Sequence, residues 1–520
     1  RLVRKPTGMT LALASVAAAA GFFLSAGGLA AAAAVVVPSW AAAEAAAIGG
    51  EAGRSFDLMI RAAANLAVGS ARLLRRPARR VLVLAGKGHN GADAILAASV
   101  FADEGAEVTV VFAQGAPRAG QPATIWRRFG KGMRVAAAAT LPRLARSPFC
   151  LILDGVLGQG LRGKVPADLV RFLRATEALQ GLRVAVDLPS GLGDDATGPA
   201  FRADVTFALG CLKRPLLAPR ARRFVGRLRV VDLGLSFPET AESCSTDAVL
   251  APLRRPRAAD TEKRRQGRLL IVGGSDDFPG AVLMNTLAAL RAGAGLVTTA
   301  LPRTLVPRAA TALPEAMWRG LPTDRRGTLA TTGWARLRPA LANKDALLAG
   351  SGMGAAAEVF LRRLVRAYAG ALVLDADALR PAVVAAARRK APLVLLPHAG
   401  EFRRLSGHAA GVAAARAYAR LTGAIVVLKG PLTCVTDGRR TTHIPFGGPV
   451  LARGGSGDLL AGIVAATLAR RTELGLGAFD AVVLAATWHG RAADLLGERR
   501  GEEAVRTTEL LTELSPALLD

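Results

Sequence analysis

Val81-Leu82-Val83-Leu84-Ala85-Gly86-Lys87-Gly88-His89-Asn90-Gly91-Ala92-Asp93 is the stretch on which the fold reading turns. Its first residues are apolar without alternation, the pattern of a strand covered on both faces, as strands of a parallel sheet are. Gly86 ends the run, Asn90-Gly91 opens a helix reaching about residue 104, and residues 108–112 read as a second strand. The same strand–loop–helix order recurs around Leu151-Ile152-Leu153-Asp154, Val184-Ala185-Val186-Asp187 and Arg229-Val230-Val231-Asp232. This alternation predicts an α/β domain with a parallel sheet. Three strands ending in Asp predict three carboxylates at the sheet edge where such folds bind ligands. Upstream, residues 41–48 and 56–74 have helical spacing, followed by a charged connector at 75–80.

A second series of apolar runs opens with Leu269-Leu270-Ile271-Val272 and continues through residues 347–354, 372–375, 393–396 and 425–428. The expected organisation is an apolar leader (1–39), a first α/β domain (40–245), a Pro- and Arg-rich linker (246–268) and a second α/β domain (269–518). In the leader, Arg1-Leu2-Val3-Arg4-Lys5 precedes an uncharged run from 9 to 37. Such a run can span a bilayer, and the basic flank is that of a signal peptide. Ala dominates it, however, so we read it as dispensable to the working protein, with membrane attachment as the alternative.

Composition narrows the function classes. Of 520 residues, 51% are hydrophobic and 21% charged, too apolar for a disordered chain. Four widely spaced cysteines without C-x-x-C argue against a disulfide scaffold or a cysteine-rich zinc site, and suit a cytoplasmic protein. Sixty-eight basic against 40 acidic residues give +28. The excess is mostly arginine in short, scattered pairs such as Arg75-Arg76 and Arg264-Arg265. There is no basic tail or zinc-finger spacing, so a coding bias explains it better than a nucleic-acid surface, and no nucleic-acid partner is expected. An anionic small substrate would be drawn by the same field.

The Gly86–Asp93 loop has the glycines that let an anion approach a helix N-terminus, although a tight turn capped by Asn90 or Asp93 reads equally from the residues. Asp154-Gly155-Val156-Leu157-Gly158-Gln159-Gly160 repeats the strand–Gly-loop pattern, and Asp187-Leu188-Pro189-Ser190 puts a carboxylate and a hydroxyl on one turn. Together, residues from about 40 to 235 resemble the epimerase domain of the NAD(P)H-hydrate repair enzymes. The resemblance implies a Rossmann-like fold. It implies a potassium ion held by Asn90, Asp154 and Ser190, and proton handling by Asp187. It implies hydrate contacts at His89, Asn90, Gly91, Ala92, Asp93, Gly158, Gly160 and Asp187. Oxygen donors suit such a cation. His89, Ala92 and Ala94 depart from the family loop, and the two alanines are expected to add Cβ atoms where substrate phosphate would approach.

Arg453-Gly454-Gly455-Ser456-Gly457-Asp458 precedes an apolar helix. Its backbone N–H groups can cradle phosphate, and Asp458 can take a proton from an attacking hydroxyl. The alternative is a Gly-rich turn with an Asp favoured by the helix dipole. Lys429, His398, Glu401, Asp375 and Asp377 also end strands of this half, and no two histidines have metal-ligand spacing. Residues from about 260 to 515 resemble the ribokinase-like dehydratase domain of the same repair enzymes. The likeness rests on Val272-Gly273-Gly274-Ser275, Gly350-Ser351-Gly352-Met353-Gly354, Asp375-Ala376-Asp377, Pro397-His398-Ala399-Gly400-Glu401 and the loop 454–458. It implies hydrate contacts at Ala281, Gly352, His398 and Asp458, with Asp458 catalytic. It implies nucleotide contacts at Lys429, Gly430, Pro431, Leu432, Thr433, Gly454, Gly455, Ser456 and Gly457. Ser351 stands for a usual Pro, Gly448 for Asn and Ser456 for Thr.

The implied partners are hydrated NADH or NADPH and ADP or ATP with magnesium. A homo-oligomer is compatible with the sequence and not specified by it. Three other readings stay open: a ribokinase-like small-molecule kinase, a dehydratase with a structural first domain, and an Arg-rich nucleic-acid binder.

Overall fold

Both series of apolar runs form sheets. The computed structural model describes residues 34–37, 52–74, 76–159, 161–235, 240–387 and 391–519. The chain divides into two compact units, Arg1–Glu239 and Thr240–Asp520.

In the first unit the strands are β1 (Ala34–Val37), β2 (Arg80–Ala85), β3 (Glu107–Phe112), β4 (Arg134–Ala136), β5 (Leu151–Gly155), β6 (Leu182–Val186), β7 (Val205–Leu209), β8 (Leu212–Lys213) and β9 (Arg227–Val231). Seven of them make a parallel sheet in the order β4-β3-β2-β5-β6-β7-β9. β2 is buried from Val81 to Ala85, which accounts for its unbroken apolar run. The helix Ala52–Leu73 realises the expected 56–74 segment, and His89–Asp103 follows β2. One core lies between these helices and the sheet, and a second, around Leu82, Ile152 and Phe172, fills the opposite face. The end of the leader is structured as β1, which pairs in parallel with β8. The helical reading of 41–48 and the rest of the leader fall outside the described residues. Among the described residues no helix is long and apolar enough to cross a membrane.

The second unit begins with β10 (Glu242–Cys244), which pairs in parallel with the strand Thr441–Ile444 of the same unit. The interval 246–268 contains the helical turns Asp247–Leu250 and Ala251–Arg254. Next come β11 (Arg268–Val272), β12 (Leu296–Pro302), β13 (Met317–Leu321), β14 (Ala346–Ala349), β15 (Ala371–Leu374), β16 (Leu393–Leu395), β17 (Ile425–Leu428), β18 (Thr433–Thr436) and β19 (Thr441–Ile444). The order is β13-β12-β11-β14-β15-β16-β17-β18-β19-β10, parallel from β13 to β17, with β18 reversing direction between β17 and β19. Adjacent strands β11, β14, β15, β16 and β17 therefore deliver the loops after them to one edge.

Two helices fix the approach to that edge. Ser456–Arg470 lies against Pro279–Arg291 so closely that a Cβ at Gly462 would stand 2.4 Å from the Asn285 carbonyl oxygen and 2.8 Å from Ala288 Cβ. Gly462→Ala should force these helices apart and destabilise the second unit by about 1–3 kcal/mol, the usual range for overpacking. Chemical denaturation of the variant checks this; an unchanged midpoint would show that the helix pair has room to spare.

Candidate active sites

In the first unit, Asp154 lies in β5 and Asp187 follows β6, so neighbouring strands bring two of the three expected carboxylates to one edge. The third does not join them. Asp232 follows β9 at the far side of the sheet, is exposed, and accepts a hydrogen bond from Gly234 N at 2.7 Å, which makes it a loop brace.

Asp154 is fully buried. Ser190 Oγ donates to its Oδ1 at 2.6 Å and Ser190 N to its Oδ2 at 2.8 Å, while Leu157 N donates to Ser190 Oγ at 2.8 Å. Asn90 Nδ2 donates to the Leu157 carbonyl oxygen at 3.0 Å, so the three residues assigned to one ion meet around Leu157. Burial pushes the Asp154 carboxyl up to about 6, against the pull of the Ser190 and Val156 hydrogen bonds. Carboxylate, hydroxyl, carbonyl and amide oxygens in one cluster are a donor set that fits a hard monovalent cation. A buried carboxylate with raised proton affinity is a group that such a charge would stabilise.

Asp187 has φ 65°, a strained value for a residue other than Gly, and Leu188 N donates across it to Val186 O at 2.8 Å. Its Oδ1 accepts from Leu209 N at 3.1 Å and from Lys213 Nζ. His89 is exposed at the first position of its helix, Asp93 is buried on the next turn, and Gly158 lies against the Asn90 side chain. Gly160 lies outside the described residues.

Two expectations about the loop need correction. A Cβ at Gly86 would stand 1.9 Å from Val156 O, and one at Gly91 2.3 Å from Gly86 O, so these glycines admit neighbouring backbone rather than a ligand. Ala92 and Ala94 are buried in the core of the unit, so their Cβ atoms pack inward instead of filling the loop face.

The second unit gathers its groups at the β11–β17 edge. Lys429, after β17, donates to Asp375 Oδ1 at 2.8 Å and lies 3.8 Å from Glu401 Oε2. Burial alone would lower its pKa, but Asp375, Glu401 and Asp458 outweigh that and raise it. Lys429 N donates to Pro397 O at 2.9 Å, which sets His398 beside it. His398 also caps the helix Ala399–Ser406: its Nδ1 accepts from Gly400 N at 3.0 Å, and its own N donates to Glu401 Oε2 at 2.8 Å. A Cβ at Gly457 would stand 3.3 Å from Lys429 Nζ, so loop 454–458 and Lys429 share one place. Gly352 and Ala281 also meet, a Cβ at Gly352 falling 3.1 Å from Ala281 Cβ. Gly430 and Pro431 are exposed beside Lys429, Leu432 and Thr433 are half-buried, and Gly454 faces open space.

Asp458 stands in the first turn of Ser456–Arg470, and its main chain is held by Asn285 Nδ2 on its carbonyl oxygen at 2.8 Å. Burial, then the Asp375 charge, pushes its carboxyl up to about 6, while the Ser351 hydroxyl and Lys429 pull the other way. Asn285, Ser351 and the buried His489, whose ring lies by the Ser456 backbone, were not picked out as site residues from the sequence. Ser351 drew notice only as a departure from the family, and a lone Asn or His inside an apolar helix carries no spacing signal.

The NAD(P)H-hydrate dehydratase family model matches residues 269–516, and the model for the YjeF-related protein N-terminus matches 55–215. The bifunctional NAD(P)H-hydrate repair enzyme of Thermosynechococcus vestitus is 34% identical over 84% of this chain and 88% of its own. The chain belongs to the bifunctional NAD(P)H-hydrate repair enzyme family. The corresponding enzyme of Gloeobacter violaceus is 35% identical, again over 84% of this chain and 88% of its own. Among solved structures, the ADP/ATP-dependent NAD(P)H-hydrate dehydratase of Bacillus subtilis is 26% identical over 52% of this chain and 96% of that one, with a TM-score of 0.45.

The buried Asp154 gives a test independent of activity. Burial holds its carboxyl at about 6, well above the ordinary carboxylate range. A raised folded value favours folding at low pH, and that contribution is lost as pH rises through about 6. Asp154→Asn should flatten the fall in stability of the first unit between about pH 4 and 6, measured by denaturation in a buffer whose only cation is organic. A pH slope identical to that of wild type would contradict the burial argument.

Proposed function

We propose that this chain repairs hydrated NADH and NADPH, exchanging the two hydrate epimers in the first unit and dehydrating one of them with ADP or ATP in the second. The observation that supports it best is the meeting of Asp458, Lys429 and Gly457 at the start of a helix, beside the Gly352–Ala281 contact. Phosphate binds where successive backbone N–H groups converge, and a carboxylate there can serve proton transfer.

In the second unit, loop 454–457 receives the nucleotide phosphates, Lys429 to Thr433 flank them, and the hydrate lies against Ala281, Gly352 and His398. Asp458 takes the proton of the substrate's hydroxyl as that oxygen attacks the terminal phosphorus, and the bond from that phosphorus to the bridging oxygen breaks to release the nucleotide one phosphate shorter. Hydroxide leaves poorly at neutral pH; phosphate leaves readily with the electron pair of the carbon–oxygen bond, and loss of a proton from the adjacent ring carbon forms the double bond and restores the dihydronicotinamide. Magnesium, a hard cation that travels with nucleotide phosphates, would offset phosphate charge when bound.

In the first unit, the substrate's carbon–oxygen bond breaks with its electron pair on oxygen, and a proton from Asp187 turns the leaving group into water. The lone pair of the neighbouring ring nitrogen stabilises the cation left behind. Once the planar cation has turned its other face to Asp187, water adds there, which gives the other epimer and restores the proton to Asp187. Potassium on Asn90, Asp154 and Ser190 would supply a fixed positive charge beside the loops that receive the substrate. This is a cytoplasmic reaction, since it draws on the nucleotide pool.

Asp458→Asn should slow nucleotide-dependent recovery of the cofactor from the directly accepted epimer by about 10²–10⁴-fold, the usual worth of a positioned proton-transfer group. Near-wild-type turnover would remove Asp458 from the chemistry. Because the acceptor form is the carboxylate and its pKa is raised to about 6, kcat/KM of the wild type should fall as pH drops through about 6. A profile flat down to pH 5 would show that no such group titrates. Accumulation of a stable phosphorylated product would make the protein a small-molecule kinase instead.

A further inference from the structure

Lys213 belongs to no motif that marks the first site, yet it is 2% exposed and its Nζ donates both to Asp187 Oδ1 and to the Leu209 carbonyl oxygen. Its partner is held from three sides. Asp187 N donates to Phe207 O at 2.8 Å, Leu188 N bridges the turn to Val186 O at 2.8 Å, and Leu209 N reaches Asp187 Oδ1 at 3.1 Å. All of these contacts on the carboxylate fall on Oδ1, and among the described residues no hydrogen bond is made to Oδ2.

Burying an ion pair is costly unless its geometry and partners are good, and replacing both members by apolar residues of similar volume would satisfy the fold at least as well. The ammonium therefore has work that packing alone does not require. A carboxylate in a strained turn, with one oxygen clamped and the other unclaimed, presents a single defined oxygen to a ligand. We infer that Lys213 is a positioning residue for epimer exchange: by fixing Oδ1, it turns Asp187 Oδ2, the oxygen that gives and takes the proton, towards the hydroxyl of the hydrate. This rests on the epimerase reading of the first unit. Lys213 does not itself touch the substrate in this account.

The test uses the full chain and a mixture of hydrate epimers, with exchange followed faster than its spontaneous background. Lys213→Met should lower kcat for exchange at least about 10²-fold with little change in KM, and Lys213→Arg, which keeps the charge, should recover most of it. Repair of the directly accepted epimer by the second unit should not change in either variant. Because Lys213 acts through Asp187, the double variant Asp187→Ala/Lys213→Met should exchange no more slowly than Asp187→Ala alone. Should Lys213→Met melt the first unit, Lys213→Gln carries the same comparison. Rapid exchange by Lys213→Met, or losses that multiply in the double variant, would overturn the proposal while leaving the epimerase reading intact. A wild type that does not accelerate exchange at all would overturn both.

Discussion

Burying a carboxylate costs far more than burying a methyl group, and both units of this protein do it at the ends of parallel strands. Asp154 is satisfied by the hydroxyl and backbone of Ser190, Asp187 by Lys213 and the backbone of Leu209, and Asp375 by Lys429. Each partner arrives from a different strand end or from the loop after one, so the pairings also fix the loops in space. Removing either half of such a pair leaves an uncompensated group behind. The site residues are therefore held by the charges that suit them for chemistry.

The solutions differ because the tasks differ. Asp154 has hydroxyl and amide donors and no ion-paired side chain among the described residues, an arrangement that favours neutralisation by a proton or by a small cation. Asp458 is only partly enclosed, and burial together with the neighbouring Asp375 charge brings its titration close to neutrality, as proton-transfer groups require. Lys429, between Asp375 and Glu401, keeps its charge where phosphate is proposed to bind. The electrostatic character of each position follows from which strand ends adjoin it.

Much of this was legible in the sequence because parallel strands announce themselves. Val81 to Ala85 and Leu269 to Val272 are apolar on both faces, and the glycines after them mark turns. Asn90, Asp154 and Ser190 were assigned to one ion from family motifs, and the fold brings them together around Leu157. What the sequence misrepresented was direction. Strand order cannot be read from a list of strands, so Asp232 looked equivalent to Asp154 and Asp187 although β7 separates its strand from theirs. Helical phase at a loop–helix junction is equally hidden, so Ala92 and Ala94 looked like obstacles although they point into the core. Lys213 went unnoticed because its partner lies 26 residues away and no local pattern links the two.

On this reading one chain both exchanges the epimers and dehydrates one of them. The most direct measurement is the final yield of NADH from an equal mixture of hydrate epimers with excess nucleotide, followed faster than spontaneous exchange. All of the hydrate should return as NADH, with one phosphate released per molecule repaired. A rapid phase that stops at half the hydrate, with the remainder recovered only at the uncatalysed rate, would contradict it.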